Sequence, residues 1–303
     1  MMRGKLSFGQ RAVLGAPYLW VVVFFLAPMA LIAKISLSHP AQARPPYEPV
    51  FSLSDGLAGS LAKLQTLSLD AYRTFGEDRL YLDSYLTSLA IAGVSTALML
   101  LVAYPFALAM ARAPRRLRPI LIGLAVAPFW TSFLIRVYAW IALLKDEGLI
   151  NHALMALHLI DAPLSIYATN VAVVIGIIYS YLPFMLLPLY AALERQDPAL
   201  REAAADLGAS PAQVFWRVTL PLSLPGVVAG CLLVFIPAVG EFVIPDLLGG
   251  SETLMIGKTL WTDFFANRDW PAASAAAILL LVLLIGPLLV AERARLRAEG
   301  KPT

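Results

Sequence analysis

The stretch Glu194–Pro221, with the sequence ERQDPALREAAADLGASPAQVFWRVTLP, is a polar interval between two long apolar runs. Asp197, which is followed by proline, predicts the start of a helix, because its carboxylate can accept unpaired backbone N–H groups of the first turn. Gly208 predicts the end of that helix, since glycine readily takes the left-handed conformation of a helix C-terminus. Ser210 and Gln213 are spaced as a capping box and predict a second helix. The stretch is therefore expected to be two helices joined at a glycine corner.

The first of these helices has one face of small and apolar side chains, namely Leu200, Ala203, Ala204 and Leu207. Their spacing of three and four residues is that of an amphipathic helix. A helix of about ten residues is only marginally stable alone in water, so we expect this one to pack against another surface. Two hypotheses follow: an ordinary helical loop between membrane spans, or a plug that docks into a separate protein on the same side of the membrane.

The composition indicates a membrane protein, because 59% of the residues are hydrophobic and only 14% are charged. Apolar runs recur at lengths near the twenty residues that cross a bilayer as a helix, and helices satisfy their own backbone groups in lipid. The sequence thus predicts an all-α membrane protein with six transmembrane helices, at about 12–33, 84–111, 119–144, 168–193, 222–245 and 271–291.

This pattern predicts the organisation of the chain into four parts. Residues 1–38 are expected to hold a cytoplasmic N-terminus and the first transmembrane helix, and residues 39–83 a proline-rich periplasmic segment. Residues 84–294 are expected to form a five-helix core that includes the loop at 194–221, and residues 295–303 a basic cytoplasmic tail. A cleaved signal peptide is the alternative for the first apolar run, but the run is long and has no convincing cleavage site.

The distribution of charge predicts the orientation. The two tails, the turn between spans two and three and the loop at 194–221 together hold fourteen Lys or Arg and six Asp or Glu, whereas the opposite loops, counted with Glu241, hold seven and fourteen. By the positive-inside rule, both termini and the loop at 194–221 are expected in the cytoplasm. The acidic outer face would also raise the local concentration of a dication.

The sequence offers no catalytic or metal-binding motif, so the chain is not expected to be an enzyme or to bind a cofactor itself. Gly257 belongs to a sequence like the end of a P-loop, but Glu252 stands where that motif requires glycine. Cys231 is the single cysteine and lies in an apolar run, which excludes an intrachain disulfide. His152 and His158 have no further ligands nearby, so a metal site is not expected.

Two ionisable residues fall within predicted spans, where charge is costly and usually faces a bundle interior or a water-filled path. Glu241 lies beside a proline and a glycine that loosen the helix, so it is either part of a substrate pathway or a plain contact between helices. Arg136 is expected to have a structural role that braces neighbouring helices, with a carboxylate as the candidate partner. Further pathway candidates, including aromatic rings that can hold an alkylammonium group, are Trp130, Tyr138, Tyr181, Phe235 and Asp246.

The spacing of Glu202-Ala203-Ala204, Gly208 and Val218-Thr219-Leu220-Pro221 resembles the EAA loop of ABC-importer permeases, with Val218 where isoleucine is usual. In that family the loop is a coupling helix that sits in a cleft of the cytoplasmic ATPase. The resemblance therefore implies a coupling role for Glu202, Ala203, Ala204, Asp206, Leu207, Gly208, Ala209, Ser210 and Pro211.

Three further stretches, at about 128–151, 181–194 and 240–250, resemble one branch of that family, the first permease subunit of putrescine/spermidine importers. This implies the type I importer permease (MetI-like) fold in a bacterial inner membrane. The implied partners are the lipid bilayer, a second homologous permease, a cytoplasmic ABC ATPase dimer that binds ATP and Mg²⁺, and a periplasmic polyamine-binding protein, with no nucleic acid.

Three alternatives remain open. An importer of the same class could carry a different small solute. A secondary transporter that runs on an ion gradient would need no EAA loop and usually has internally repeated halves, which the sequence does not show. An intramembrane enzyme would need paired catalytic groups within the spans, and Arg136 with Glu241 is not a convincing pair.

Overall fold

The structure, a computed structural model, describes residues 8–298. The basic residues Arg3, Lys5 and Lys301 of the predicted tails lie outside the described residues. About three quarters of the described chain is helical, in agreement with the predicted all-α fold. The helices are α1 (Phe8–Val21), α2 (Ala27–Ile35), α3 (Gly56–Gln65), α4 (Asp70–Glu77), α5 (Arg79–Arg112), α6 (Arg118–Val126), α7 (Phe133–Leu144), α8 (Leu149–Ala156), α9 (Asn170–Glu194), α10 (Pro198–Asp206), α11 (Pro211–Val214), α12 (Leu220–Val239), α13 (Val243–Leu248), α14 (Ile256–Trp261) and α15 (Trp270–Ala298).

The contacts divide the chain into two compact units. The first contains the described chain up to Arg79 together with Leu260–Leu283. In it, a wide π turn joins α1 to α2, and two short antiparallel strands, β1 (His39–Pro40) and β2 (Tyr47–Glu48), follow. Further along this unit, the Lys63 ammonium lies 2.6 Å from the Asp55 carboxylate and lowers the pKa of that carboxyl group by its hydrogen bond.

The second unit contains Leu80–Thr259 and the chain from Leu284 onward. Its core lies where α5, α9 and α12 pack together, with fully buried side chains that include Met99, Met185, Leu189 and Val234. Tyr104 of α5 joins this core and exchanges a 2.8 Å hydrogen bond with Ser223 of α12. The site described below is built from this unit.

Five apolar helical stretches are long enough to cross a membrane, namely Gly15–Ile35, Arg79–Arg112, Asn170–Glu194, Pro211–Val239 and Trp270–Val290. A bent pair, Arg118–Trp130 with Phe133–Ala156, brings the number to six when it is counted as one span. The prediction of six spans is confirmed on that count.

The third span, predicted at 119–144, is not one continuous helix, because the two halves of the bent pair meet at 87°. A 3₁₀ turn that contains Pro128 ends the first half at Trp130. Thr131 and Ser132 then have extended backbone, with ψ of 154° and 137°. Extended residues cannot continue the hydrogen-bond ladder of a helix, so the chain turns there.

The predicted fifth span, at 222–245, is also displaced. Its helix begins at Pro211, continues through a π turn at Phe215–Thr219 and ends at Val239. Gly240 is the C-cap at which this helix ends, and the short helix α13 follows as a separate element. The second helix of the loop at 194–221 is therefore the first part of span five, and Glu241 follows the span instead of lying within it.

Glycines allow the close packing of α9 against α12. A Cβ at Gly226 would lie 2.8 Å from the Pro188 carbonyl oxygen, and one at Gly230 would lie 2.8 Å from the Met185 sulfur. Two glycines four residues apart are the typical means by which helices approach in a membrane, where small residues dominate the contacts. The sequence Gly226-Val-Val-Ala-Gly230 thus places α12 directly on the backbone of α9.

We expect Gly226→Leu to lower the thermal unfolding midpoint of the purified chain by several degrees, because overpacking a tight contact costs about 1–3 kcal/mol. The matched control is Gly93→Leu on α5, where an added Cβ would meet nothing within 4 Å. Differential scanning fluorimetry of the detergent-solubilised variants measures both midpoints. An equal fall for the two variants would contradict the assigned helix contact.

Candidate functional site

The segment from α10 to α11 has the local structure that its sequence predicts. The Asp197 carboxylate accepts a 3.0 Å hydrogen bond from the Ala199 N–H at the start of α10. Gly208, at the corner, has a φ of +83°. The Ser210 hydroxyl accepts the N–H of Gln213 at 3.3 Å, and the Ser210 N–H donates to the Gln213 side-chain oxygen at 2.8 Å. The helix, the glycine corner and the capping box are all confirmed.

Most of the α10 helix is exposed on the surface of the described part of this chain. None of its residues is buried, and Leu207, just after the helix, is 89% exposed. Leu200 on the same predicted apolar face is 49% exposed. An apolar side chain this exposed outside the apolar spans indicates an interaction surface when its neighbours form a patch. The coupling role of the residues from Glu202 to Pro211 stays a prediction.

One hydrogen bond and one contact between aromatic rings connect this segment to the spans. The Gln196 side-chain amide donates to the Thr219 carbonyl oxygen at 2.9 Å, which ties the start of the segment to the base of α12. Phe215, in the π turn before α12, packs edge-to-face against Tyr104 of α5 with ring centroids 5.6 Å apart. These two contacts tie the chain before α10 to the base of α12, and the chain after α11 to α5.

Glu241 is a buried carboxylate whose oxygens all have partners. One oxygen accepts the N–H groups of Val243 at 3.0 Å and Ile244 at 3.4 Å, so the side chain caps the start of α13. The other oxygen accepts a hydrogen bond from the Tyr181 hydroxyl of α9. With 8% of its surface exposed, Glu241 is held in place by hydrogen-bond donors from two elements, α9 and α13.

The sequence Gly257-Lys258-Thr259 has a packing role next to Glu241. A Cβ at Gly257 would lie 2.6 Å from the Glu241 carbonyl oxygen, so only glycine fits there. The Thr259 hydroxyl is 3.0 Å from that of Ser84 on α5. These contacts give the P-loop-like residues a structural role.

A row of aromatic rings connects Glu241 to Arg136. Tyr181 lies 6.0 Å, between ring centroids, from Phe184, and Phe184 lies 5.5 Å from Phe129. The Arg136 guanidinium in turn lies over the Phe129 ring at 4.6 Å. We name Glu241, Tyr181, Phe184, Phe129 and Arg136 the charged aromatic row. Sequence analysis missed the role of Phe184, although its position three residues after Tyr181 puts both rings on one helix face.

The expectation that Arg136 pairs with a carboxylate is wrong for the described residues. Arg136 is buried, with 8% of its surface exposed, and forms no ion pair within residues 8–298. Its Nε and one terminal nitrogen have no hydrogen-bond partner there. Its partners are the rings of Phe129 and Phe133, which accept a cation on their faces. The side chain braces aromatic rings and not a carboxylate.

The other predicted pathway residues lie outside the charged aromatic row. Trp130 and Tyr138, on either side of the break in the bent span, are 82% and 57% exposed. Phe235 is half-buried. The Asp246 carboxylate is exposed and lies 3.5 Å from the Lys258 ammonium. Over the described range no group of three His, Cys, Asp or Glu side chains could hold a metal ion.

Comparisons of the sequence with a family model and with curated proteins agree on one family. Residues 103–291 match the family described as the binding-protein-dependent transport system inner membrane component. The chain is 38% identical over 275 residues to the spermidine/putrescine transport system permease protein PotB of Haemophilus influenzae, covering 91% of this chain and 90% of the relative. It is 45% identical over 217 residues to the PotB protein of Escherichia coli, covering 72% and 79% of the two chains.

Solved structures share the fold. A chain in the crystal structure of a bacterial alginate ABC transporter, in complex with an alginate pentasaccharide-bound periplasmic protein, superposes with a TM-score of 0.70 at 17% identity, over 96% of this chain and 95% of that one. A chain of the inward-facing MetNI methionine ABC transporter superposes with a TM-score of 0.55 at 19% identity, over 72% and 95%.

Proposed function

The chain belongs to the family of binding-protein-dependent transport system inner membrane components, and on this premise we propose that it is the permease subunit through which an ATP-driven importer moves putrescine, spermidine or both into the cytoplasm. The observation that carries the substrate class is the similarity to spermidine/putrescine permeases, at 38% identity over 91% of the chain. The fold and the apolar spans support a multi-pass protein of the inner membrane.

The charged aromatic row supports a cationic substrate. A polyamine presents ammonium groups separated by short apolar chains, so it needs carboxylates and aromatic faces along its path. Glu241 supplies a carboxylate, and Tyr181 and Phe184 supply rings beside it. A desolvated cation–π contact contributes about 2 kcal/mol, and this is enough to favour transient binding without trapping the substrate.

The energy for transport would come from a separate chain. We place the α10 helix and the Gly208 corner in a cleft of a cytoplasmic ATPase dimer, which binds ATP and Mg²⁺. Closure of that dimer would displace α10, and the links through Thr219 and Tyr104 would carry the motion into the spans. A second homologous permease would complete the path, and a periplasmic binding protein would deliver the polyamine.

We expect a bacterial strain that lacks this chain to lose high-affinity uptake of radiolabelled putrescine, spermidine or both, and to recover it on complementation. Because transport is driven by ATP, uptake should persist after the proton gradient is collapsed as long as cellular ATP is maintained. Initial uptake rates at micromolar substrate measure this. Uptake that stops with the gradient at constant ATP would instead identify a secondary transporter.

The predicted orientation of the coupling segment is tested separately from uptake, by labelling introduced cysteines. In a Cys231→Ala background, a thiol at exposed Ala205 (Ala205→Cys) should be protected from a membrane-impermeant maleimide in intact cells. A thiol at exposed Ser165 (Ser165→Cys) should react. Labelling of position 205 from outside would refute the cytoplasmic coupling segment, whatever the substrate.

A further inference from the structure

A basic cavity lies where α5 and α9 end and α10 begins. It has a volume of about 170 Å³ and a charged wall formed by Arg112, Arg115, Arg118, Glu194 and Arg201. By the charge distribution, this is the cytoplasmic side of the membrane. We name these five residues and the space between them the arginine cavity.

The arginine cavity has an excess of positive charge that the chain does not neutralise. Its single carboxylate, Glu194, lies 3.0 Å from the Arg118 guanidinium and is already paired with it. Arg112, Arg115 and Arg201 form no ion pair within the described residues. The Arg201 Nε is buried and has no hydrogen-bond partner there. A buried guanidinium N–H without an acceptor is costly, and the exposed Arg112 and Arg115 add positive charge beside it, so the cavity is suited to an anion that supplies several oxygens.

The cavity adjoins an apolar surface of membrane character. Leu108, Ala111 and Leu193 line its inner wall. A neighbouring opening of about 580 Å³ shares Arg115, Arg118 and Glu194 with it and extends to Pro119 and Ile122 of α6. On the same helix, Ile120 and Leu124 are 59% and 66% exposed. A ligand with an anionic head and apolar chains would meet guanidinium groups and lipid-facing residues together.

We propose that the arginine cavity binds the phosphate of an anionic phospholipid from the cytoplasmic leaflet. Basic pockets between transmembrane helices on this side are the typical sites for anionic headgroups. Guanidinium groups suit phosphate because they donate two parallel hydrogen bonds to its oxygens. A free phosphate ion shares this chemistry, and a carboxylate of a docked ATPase could also enter. The adjoining apolar surface favours the lipid, since neither of the others requires it.

The position of Arg201 gives the bound lipid a consequence that rests on the function proposed above. Arg201 is on α10, whereas Arg112 ends α5 and Arg118 begins α6. A phosphate held by all three would link the coupling helix to two membrane helices. The lipid would then fix the resting position of α10 and make coupling depend on membrane composition.

The test is native mass spectrometry of the full-length chain purified in mild detergent, with dioleoyl-phosphatidylglycerol added in increasing amounts. We expect saturable binding of phosphatidylglycerol, and affinity about twenty-five-fold lower in the double variant Arg112→Gln/Arg201→Gln, since each arginine near a membrane surface contributes roughly a fivefold gain. The matched control is Arg116→Gln, in the same turn but outside the cavity, which should bind as the unmodified chain does. Dioleoyl-phosphatidylcholine should not compete.

Three outcomes would overturn the proposal. The first is equal affinity of the double variant and the unmodified chain for phosphatidylglycerol. The second is displacement of bound phosphatidylglycerol by millimolar inorganic phosphate together with retention of phosphate alone, which would assign a free anion. The third is unchanged lipid binding in a double variant that no longer co-purifies with its ATPase, which would assign a partner carboxylate. None of these outcomes is read from transport. A failure of the proposed function would be seen in the uptake measurements, whereas a failure of this proposal would be seen in lipid binding.

Discussion

Replacing Gly208 with valine is expected to reduce ATP-driven uptake by roughly tenfold or more while leaving the chain inserted in the membrane. The reason is the φ of +83° at this corner, which costs an L-residue about 1–2 kcal/mol and a β-branched residue more. No atom lies within 4 Å of a Cβ placed at Gly208, so the substitution causes no steric clash within the described chain. The effect would therefore report the backbone conformation of the corner, which sets the angle between α10 and α11.

Gly208→Asn is the matched control, because asparagine adopts the left-handed conformation far more readily than valine while also adding a side chain. We expect it to retain most of the uptake. Glu202 is exposed on α10. Glu202→Lys should also abolish uptake, but for a different reason, because it reverses a charge on the docking surface and leaves the Gly208 corner unchanged. Initial rates of polyamine uptake, with immunoblots of membrane fractions and co-purification of the ATPase, separate these effects. Normal uptake by Gly208→Val with its ATPase bound would refute the coupling assignment.

The local features of the coupling segment could be predicted because they depend on near neighbours alone. The Asp197 cap, the Gly208 corner and the Ser210 capping box each involve residues no more than three or four positions apart. The second and fourth spans were likewise placed to within a few residues. Long apolar runs without charge have few competing structures in a membrane, so their hydropathy largely decides the outcome.

The break in the third span could not be predicted in the same way. Thr131 and Ser132 are uncharged and interrupt the apolar run over two residues only, and proline is tolerated in many membrane helices, where neighbouring elements satisfy the freed backbone groups. Whether Pro128 kinks a helix or ends it depends on the elements that pack around the turn. The end of the fifth span had a local signal at Gly240, but the capping of α13 by Glu241 required knowledge of a helix that follows it.

The candidate site was predicted as separate residues and not as an arrangement. Glu241 and Tyr181 were both proposed from their types and depth, and the structure brings them into hydrogen-bond contact across 60 positions of sequence. Phe184 was missed, and the partner of Arg136 was wrong. An intramembrane arginine suggests a carboxylate on electrostatic grounds, yet the flat face of a nearby Phe129 ring also accepts it. Only tertiary structure decides between these partners.

Glu241→Gln is expected to raise the KM for polyamine uptake more than tenfold while the permease still folds and assembles. A carboxylate and an ammonium 4 Å apart at an effective dielectric of 20 attract by about 4 kcal/mol, of which desolvation removes part. Glutamine keeps an oxygen that can accept the Val243 and Ile244 N–H groups, so the cap on α13 should survive. Uptake kinetics measured with putrescine and with spermidine would show the loss, which should be larger for the trication.

Two further variants separate a role in the path from a role in the cap. Tyr181→Phe removes the hydrogen bond to Glu241 but leaves its charge, so we expect a smaller rise in KM than for Glu241→Gln. Asp246→Asn neutralises an exposed carboxylate outside the row and should leave the KM unchanged. If Glu241→Gln leaves uptake kinetics unaltered, while Glu241→Ala lowers the thermal unfolding midpoint, then Glu241 only holds α13 in place. The substrate path would in that case have to be sought among the exposed rings of Trp130 and Tyr138.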